Sequence, residues 1–190
     1  MSMSDYKEKS ILDHANNVTP WTAPTSQFLA LYKADPTDTD SINEVSPVVD
    51  DTSYARQGIT FGAATLGAGI ALTTNAQTFA AVVYGTGGVP YTVTHIGLFD
   101  SAGTTVVTAG SFIVGRRYRI LSIGTTDFTL IGASSNTVGV QFIATGVGAG
   151  TGTAADAGRL LDHAPLSASI ARVVGKTLVF DIAAITSALD

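Results

Sequence analysis

Hydrophobic and polar positions follow two different periods along this chain. Over residues 4–16, Tyr6, Ile11, Leu12 and Ala15 form a stripe at helical spacing. Ser4 or Asp5 can cap that stretch, with Glu8 three beyond Asp5 as in a capping box, and Asn16, Asn17 and Pro20 end it. A short terminal helix of this kind docks on its own domain or on a neighbouring subunit, and the pattern leaves both open. From residue 27 onward the apolar runs are short and rich in Val, Ile, Thr, Phe and Tyr. They cover 27–33, 54–61, 77–84, 92–99, 158–166 and 176–182, with Gly or Pro clusters between them. One helix and many short strands predict a mainly β chain, an antiparallel β-sandwich or barrel with a single N-terminal helix.

The pattern changes near residue 104. The stretch 103–153 holds ten of the chain's twenty glycines. Within it Arg117, Arg119 and Leu121 alternate with Tyr118, Ile120 and Ile123, and the alternation returns at Val138, Val140 and Phe142, with 132–136 as a turn. Removing 104–156 joins 98–103 to 157–161 as strand, Asp-Ser-Ala-Gly turn and strand. Loop tips tolerate insertions best. The expected organisation is therefore a parent domain of 1–103 plus 157–190, with a small inserted β-module at 104–156 whose ends lie close together and which protrudes.

Composition narrows the function. The 190 residues are 45% hydrophobic and 13% charged, enough apolar material for one domain or two small ones. No cysteine is present, which removes disulfides, thiolate nucleophiles and Cys-based zinc sites. The net charge of −5 argues against nucleic acid as a partner. The polar N-terminus lacks a signal-peptide core, and no stretch offers ~20 strongly apolar residues, so membrane insertion is not expected. Asp35, Asp38, Asp40 and Glu44 are oxygen ligands of the calcium type. Ile42 and Asn43 break the EF-hand spacing, and a solvated loop is the better reading.

Catalytic patterns are missing. The run Gly146-x-Gly148-x-Gly150-x-Gly152 has the wrong spacing for a dinucleotide fingerprint and reads as a flexible loop or strand edge. His14, His95 and His163 are far apart, although His95 and His163 would share a surface if their strands pair. No catalytic, cofactor-binding or metal-ligating residue is assigned. A hydrolase would need two carboxylates in one cleft, for which Asp100 and Asp162 are the only pair flanking one hairpin. Arg116, Arg117 and Arg119 are the one basic cluster. They read as the solvent face of a strand, with Tyr118 beside them adding weight to an interaction surface. Trp21 reads as a residue of core packing or subunit contact.

The order of segments resembles a family. After the helix come Phe28-Leu-Ala-Leu-Tyr32, Asp35-Pro-Thr-Asp38, Glu44-Val45, Tyr54-Ala-Arg-Gln-Gly-Ile-Thr-Phe61, Thr94-His-Ile-Gly-Leu-Phe-Asp100, and then Leu160-Leu-Asp-His-Ala-Pro-Leu166. This resembles small tailed-bacteriophage virion proteins, commonly labelled tail fibre proteins. It departs from them at Ser46–Ser53, where a Gly-rich turn is usual. The insert, through Gly110–Ile120 and Gly124–Ala133, is similar to a short module that recurs in phage structural proteins. The resemblance implies a non-enzymatic virion protein without cofactor, made in the host cytoplasm. It would associate with itself, as a trimer, and with other virion proteins. It would be a tail fibre, adaptor or attachment subunit, or alternatively a capsid decoration protein. A carbohydrate-binding module for a host-surface glycan is a further alternative, requiring an aromatic platform for which the insert offers Phe112, Tyr118, Phe128 and Phe142. The interface candidates are Tyr54, Arg56, Gln57 and His95 in the parent domain, and Arg116, Arg117, Tyr118 and Arg119 in the insert.

Overall fold

A computed structural model describes residues 1–40, 42–66 and 69–188. In chain order the elements are β1 (Ser2–Met3), α1 (Asp5–Ala15), β2 (Gln27–Tyr32), β3 (Gln57–Ile59), β4 (Ile70–Leu72), β5 (Gln77–Phe79), β6 (Tyr91–Phe99), β7 (Thr105–Thr108), β8 (Arg117–Ser122), a 3-10 helix (Phe128–Ile131), β9 (Gln141–Ile143), β10 (Thr153–Gly158), β11 (Leu160–Arg172), β12 (Leu178–Phe180) and β13 (Thr186–Ala188). The protein is mainly β, and its strands pair antiparallel without closing a barrel. Two compact units emerge, Met1–Asp100 with Leu160–Asp190, and Ser101–Arg159.

The first unit is organised on a five-stranded sheet in the order β1-β11-β6-β2-β3. Its strand β2 is a continuous apolar run because it is covered on both faces. Leu29 and Leu31 join Ile59, Phe79, Val93, Ile96 and Leu98 in the main core. Ala30 and Tyr32 pack with Phe99 and Leu160 in a second cluster. Gly97 is paired with Ala30 and His163, where a Cβ would stand 2.9 Å from both the Leu160 side chain and the Tyr32 ring. Two short ribbons, β5 with β12 and β4 with β13, complete the unit.

Helix α1 is capped by Ser4, whose hydroxyl oxygen accepts the Lys7 N–H. The same hydroxyl donates to the Leu160 carbonyl at 2.6 Å, so the cap also fastens the helix to β11. With Ser4 as the cap, Glu8 falls one position too late for a capping box. The helix rests on its own unit, through Tyr6 against the main core and Lys7 Nζ 2.7 Å from Asp162. Its outer residue Leu12 stays exposed.

The second unit is a four-stranded sheet in the order β7-β10-β8-β9, covered by the 3-10 helix. Its interior is aromatic. The rings of Phe112, Tyr118, Phe128 and Phe142 lie 4.8–6.0 Å apart between the contacting pairs. Asp127 caps the 3-10 helix and Gly132 ends it at φ 107°, where a Cβ would stand 2.4 Å from the Ile143 carbonyl oxygen. The glycine run ending at Gly152 is a close-packed segment: a Cβ on Gly152 would lie 2.5 Å from the Ile123 carbonyl.

Asp51 ties the main core together from inside. Its Oδ1 accepts from the Ser53 hydroxyl at 2.6 Å and from the Ser53 and Val83 N–H groups. Oδ2 accepts from the Tyr91 hydroxyl at 2.9 Å, and Arg172 lies 3.9 Å away while donating to the carbonyls of Ala80 and Lys176. Burial raises the Asp51 carboxyl, but the hydrogen bonds together outweigh it and hold the group below the usual carboxylate range. Burial pushes the Tyr91 phenol up to about 12. A lowered carboxyl stabilises the fold above the unfolded value of about 3.9, and that contribution is lost as pH falls through the folded value. Asp51→Asn is therefore expected to be less stable than the parent near neutral pH, with the gap narrowing on acidification. Urea titrations in a pH series check this, and a constant gap would remove Asp51 as the cause.

Candidate functional site

Of the sequence-derived candidates of the first unit, Tyr54 and Arg56 meet at the outer side of β2, whereas His95 lies on β6. At that side β2 changes partner: Gln27–Leu29 pair with Gln57–Ile59, whereas Tyr32 bridges Glu44. Between the two pairings the Leu31 N–H meets the Tyr54 hydroxyl oxygen at 3.1 Å, so a side chain takes a ladder position. The Tyr54 hydroxyl donates to Glu44 Oε1 at 2.8 Å. Arg56 grips the same carboxylate as a fork, Nε to Oε1 at 2.8 Å and Nη2 to Oε2 at 2.7 Å. Its guanidinium carbon lies 3.6 Å from the centre of the Phe99 ring. The side chains of Arg56 and Glu44 are 3% and 6% exposed. Burial, reinforced by the Glu44 charge, holds the Tyr54 phenol well above its ordinary range, so it serves as a fixed hydrogen-bond donor. Tyr54 and Arg56 are thus internal ties. Glu44, expected in a solvated acidic loop, is buried because Arg56 must be compensated.

The other acids of that loop are also engaged. His163 stands opposite Gly97 and His95 opposite Pro165, which puts both histidines on one face of the sheet. His163 Nε2 is 2.9 Å from Asp38 and its Nδ1 is 3.5 Å from Asp35, while His95 Nε2 is 4.0 Å from Asp35. Tyr32 donates to Asp40 at 2.9 Å. The side chains of Asp35 and Asp38 remain more than half exposed. Among the described residues, no group of three or more His, Asp or Glu side chains is arranged to hold a metal ion. Gln57 is half-buried and donates to the carbonyl of Ala55.

In the second unit the basic cluster divides. Arg117 and Tyr118 are each 1% exposed, contrary to the solvent-face reading of that strand. Tyr118 belongs to the aromatic interior, and its hydroxyl accepts the Ile113 N–H at 2.9 Å. Arg116 and Arg119 are half-buried, Arg116 with its Nε 3.1 Å from Asp156. The platform expected of Phe112, Tyr118, Phe128 and Phe142 is absent from the surface, since all four rings are buried. The unit has no other large apolar cluster to fold around, and these rings supply its core.

Buried polar side chains here fasten loops to antiparallel sheets. A family model described as Podophage GP4 fiber I protein gp80 matches residues 2–119, and the chain belongs to that family. Glu44, Tyr54, Arg56 and Phe99 all lie within the match. The family is one of phage fibre proteins, which makes the chain a virion component. A comparison with curated proteins returns no match. Among the described residues no helix is long and apolar enough to cross a membrane.

Removing one partner of the buried ion pair leaves the other charge uncompensated. Glu44→Ala is expected to destabilise the protein by about 3–5 kcal/mol. The double change Glu44→Leu with Arg56→Met is expected to cost less than Glu44→Ala alone. Tyr54→Phe, which orphans the Leu31 N–H, should cost about 1–3 kcal/mol. Denaturant unfolding of the set measures all three, and a double variant that loses as much stability as Glu44→Ala or more would show that the pair does not act as a unit.

Proposed function

We propose that this chain is a non-enzymatic structural subunit of a tailed-phage virion, a homo-oligomeric tail fibre, adaptor or attachment protein assembled as a trimer. The observation that carries the reading is the family match over residues 2–119. Charged and polar side chains inside the protein support it. Arg56, Glu44, Asp51 and Arg172 are committed to holding the fold, and Asp162, one of the two carboxylates a hydrolase would need, is paired with Lys7.

The surface of the second unit supports an assembly role. Ile113 and Val114 are adjacent and more than half exposed, in a turn closed by the Arg116 N–H donating to the Ile113 carbonyl. Arg116 and Arg119, both half-buried and Arg116 held by Asp156, are of the residue type that binding hot spots favour. Tyr118 contributes from beneath, its hydroxyl accepting the Ile113 N–H. Gln57 and His95 remain the candidates on the first unit, where Tyr54 and Arg56 act through the fold.

The absence of cysteine makes the location testable. Ser135 is exposed, so Ser135→Cys introduces a single thiol at the cost of one exposed hydrogen bond to Thr137. Gold-labelled particles imaged by electron microscopy are expected to carry label at the tail in groups of three. Label scattered over the head would instead make the chain a capsid decoration protein. Particles without label, from a preparation that contains the labelled chain, would overturn the virion assignment.

A further inference from the structure

The tip of the acidic loop that follows β2 is held by one histidine that meets two carboxylates at once. Asp38 Oδ1 lies 2.9 Å from Nε2 of His163, and Asp35 Oδ1 lies 3.5 Å from Nδ1 of the same ring. A neutral imidazole carries one N–H, so in either tautomer it donates to one of these carboxylates and turns a lone pair on the other. Only the imidazolium donates on both sides. His95 approaches the other oxygen of Asp35, its Nε2 standing 4.0 Å from Oδ2, while its Nδ1 is taken by the Thr94 hydroxyl at 2.9 Å. The side chains of His163 and His95 are 10% and 19% exposed, which leaves water little room to supply a missing donor.

The other charged groups nearby have partners of their own. Asp162, beside His163 on β11, points to the opposite face and pairs with Lys7 of α1. Asp40 accepts from the Tyr32 hydroxyl, and Lys33 reaches Asp50. Asp35 Oδ1 also accepts the Thr37 N–H at 2.9 Å, and the Asp38 carbonyl accepts the Asp5 N–H at 3.0 Å, which couples the loop tip to the first turn of α1. The base of the loop is fastened by backbone, through the Lys33 N–H on the Asn43 carbonyl and the bridge between Tyr32 and Glu44. Histidine is the side chain whose charge changes between about pH 5 and about pH 8. We propose that His163 is a pH-operated latch on the acidic loop: charged, it holds residues 35–40 against β6 and β11, and neutral, it releases one of its two carboxylates. A cation that finds its carboxylates only in the folded chain contributes stability while it is charged. That contribution is present below the unfolded histidine value of about 6.5 and is lost as pH rises. The inference rests on this cluster alone and not on the assembly reading, so each can fail without the other.

The test is amide hydrogen exchange of the full chain, read by mass spectrometry at about pH 5.5 and about pH 8. Each rate is divided by that of an unfolded chain at the same pH to give a protection factor. Over residues 34–40 protection is expected to fall at least about threefold at the higher pH, while β2 and β6 change by less. The factor is modest because the Asp35 and Asp38 side chains are more than half exposed. His163→Gln keeps a neutral donor but cannot gain a charge, and it is expected to show the lower protection at both pH values. Asp35→Asn removes the need for a second ring proton, so the neutral ring serves Asp38 alone and the fall shrinks to less than half of the parent's. Each variant is read only if its circular dichroism matches the parent, and the parent's own profile decides if neither does. Equal loop protection at the two pH values in the parent, an equal loss over β2 and β6, or an undiminished fall in either folded variant would each overturn the proposal.

Discussion

The Glu44–Arg56 ion pair is the constraint around which the first unit is arranged. Both charges lie out of water, an arrangement that is favourable only when geometry and extra hydrogen bonds repay the desolvation. Here the repayment is threefold: a two-point fork, the Tyr54 hydroxyl, and the Phe99 ring beneath the guanidinium. Tyr54 and Arg56 come from the one segment before β3, and Glu44 and Phe99 from two others. Phe99 ends β6, Arg56 precedes β3, Glu44 leads out of the acidic loop, and Tyr54 supplies the acceptor that β2 lacks at Leu31. Satisfying one buried charge thus sets the register of four segments at once.

The same device recurs with different residues. Asp51 and Arg172 gather the residues flanking the ribbon of β5 and β12 and the segment before β3, using carbonyls and hydroxyls where Glu44 uses a cation. His163 and Tyr32 receive the carboxylates of Asp38 and Asp40 and keep the acidic loop on the sheet. The negative charge concentrated in the first 60 residues therefore doubles as fastening. A protein with only 13% charged residues places several of them inside, where they specify one arrangement of long irregular connections.

The elements legible in the sequence were those with long or strongly periodic signals. The helix, β2 and β6 stand where the pattern predicts them, because propensity, burial and turn residues agree there. Others departed for identifiable reasons. The apolar run 54–61 yields only Gln57–Ile59 as strand, since Tyr54 and Arg56 turn their side chains to the ion pair. Strand β11 runs on to Arg172, with a bulge between Pro165 and Ile170 that hides its period. Strands β4 and β13 are three residues each and have no pattern of their own. The 3-10 helix was signalled by Asp127 and Gly132, a cap and a left-handed stop, but four residues are too few for periodicity to show. The site was half visible. Arg56 is the only base between Lys33 and Arg116, a hint that an acid from the preceding loop must meet it. Nothing local marked Arg117 as buried, because strand alternation puts it on the face opposite Tyr118.

The pairing of Phe99 with Leu160 closes a loop of about 60 residues, and that has a consequence for the order of folding. Compared with a tight hairpin, a flexible loop of this length adds about 2 kcal/mol to the closure entropy of the ladder. The second unit can remove most of that penalty. Its own β7–β10 pairing brings Thr105 against Asp156, leaving only a few residues at each end to reach β6 and β11. Its contacts are more local in sequence than those joining β6 to β11, so it is suited to form early. Once the second unit has formed, β6 and β11 are joined through a short effective connection in place of the long one.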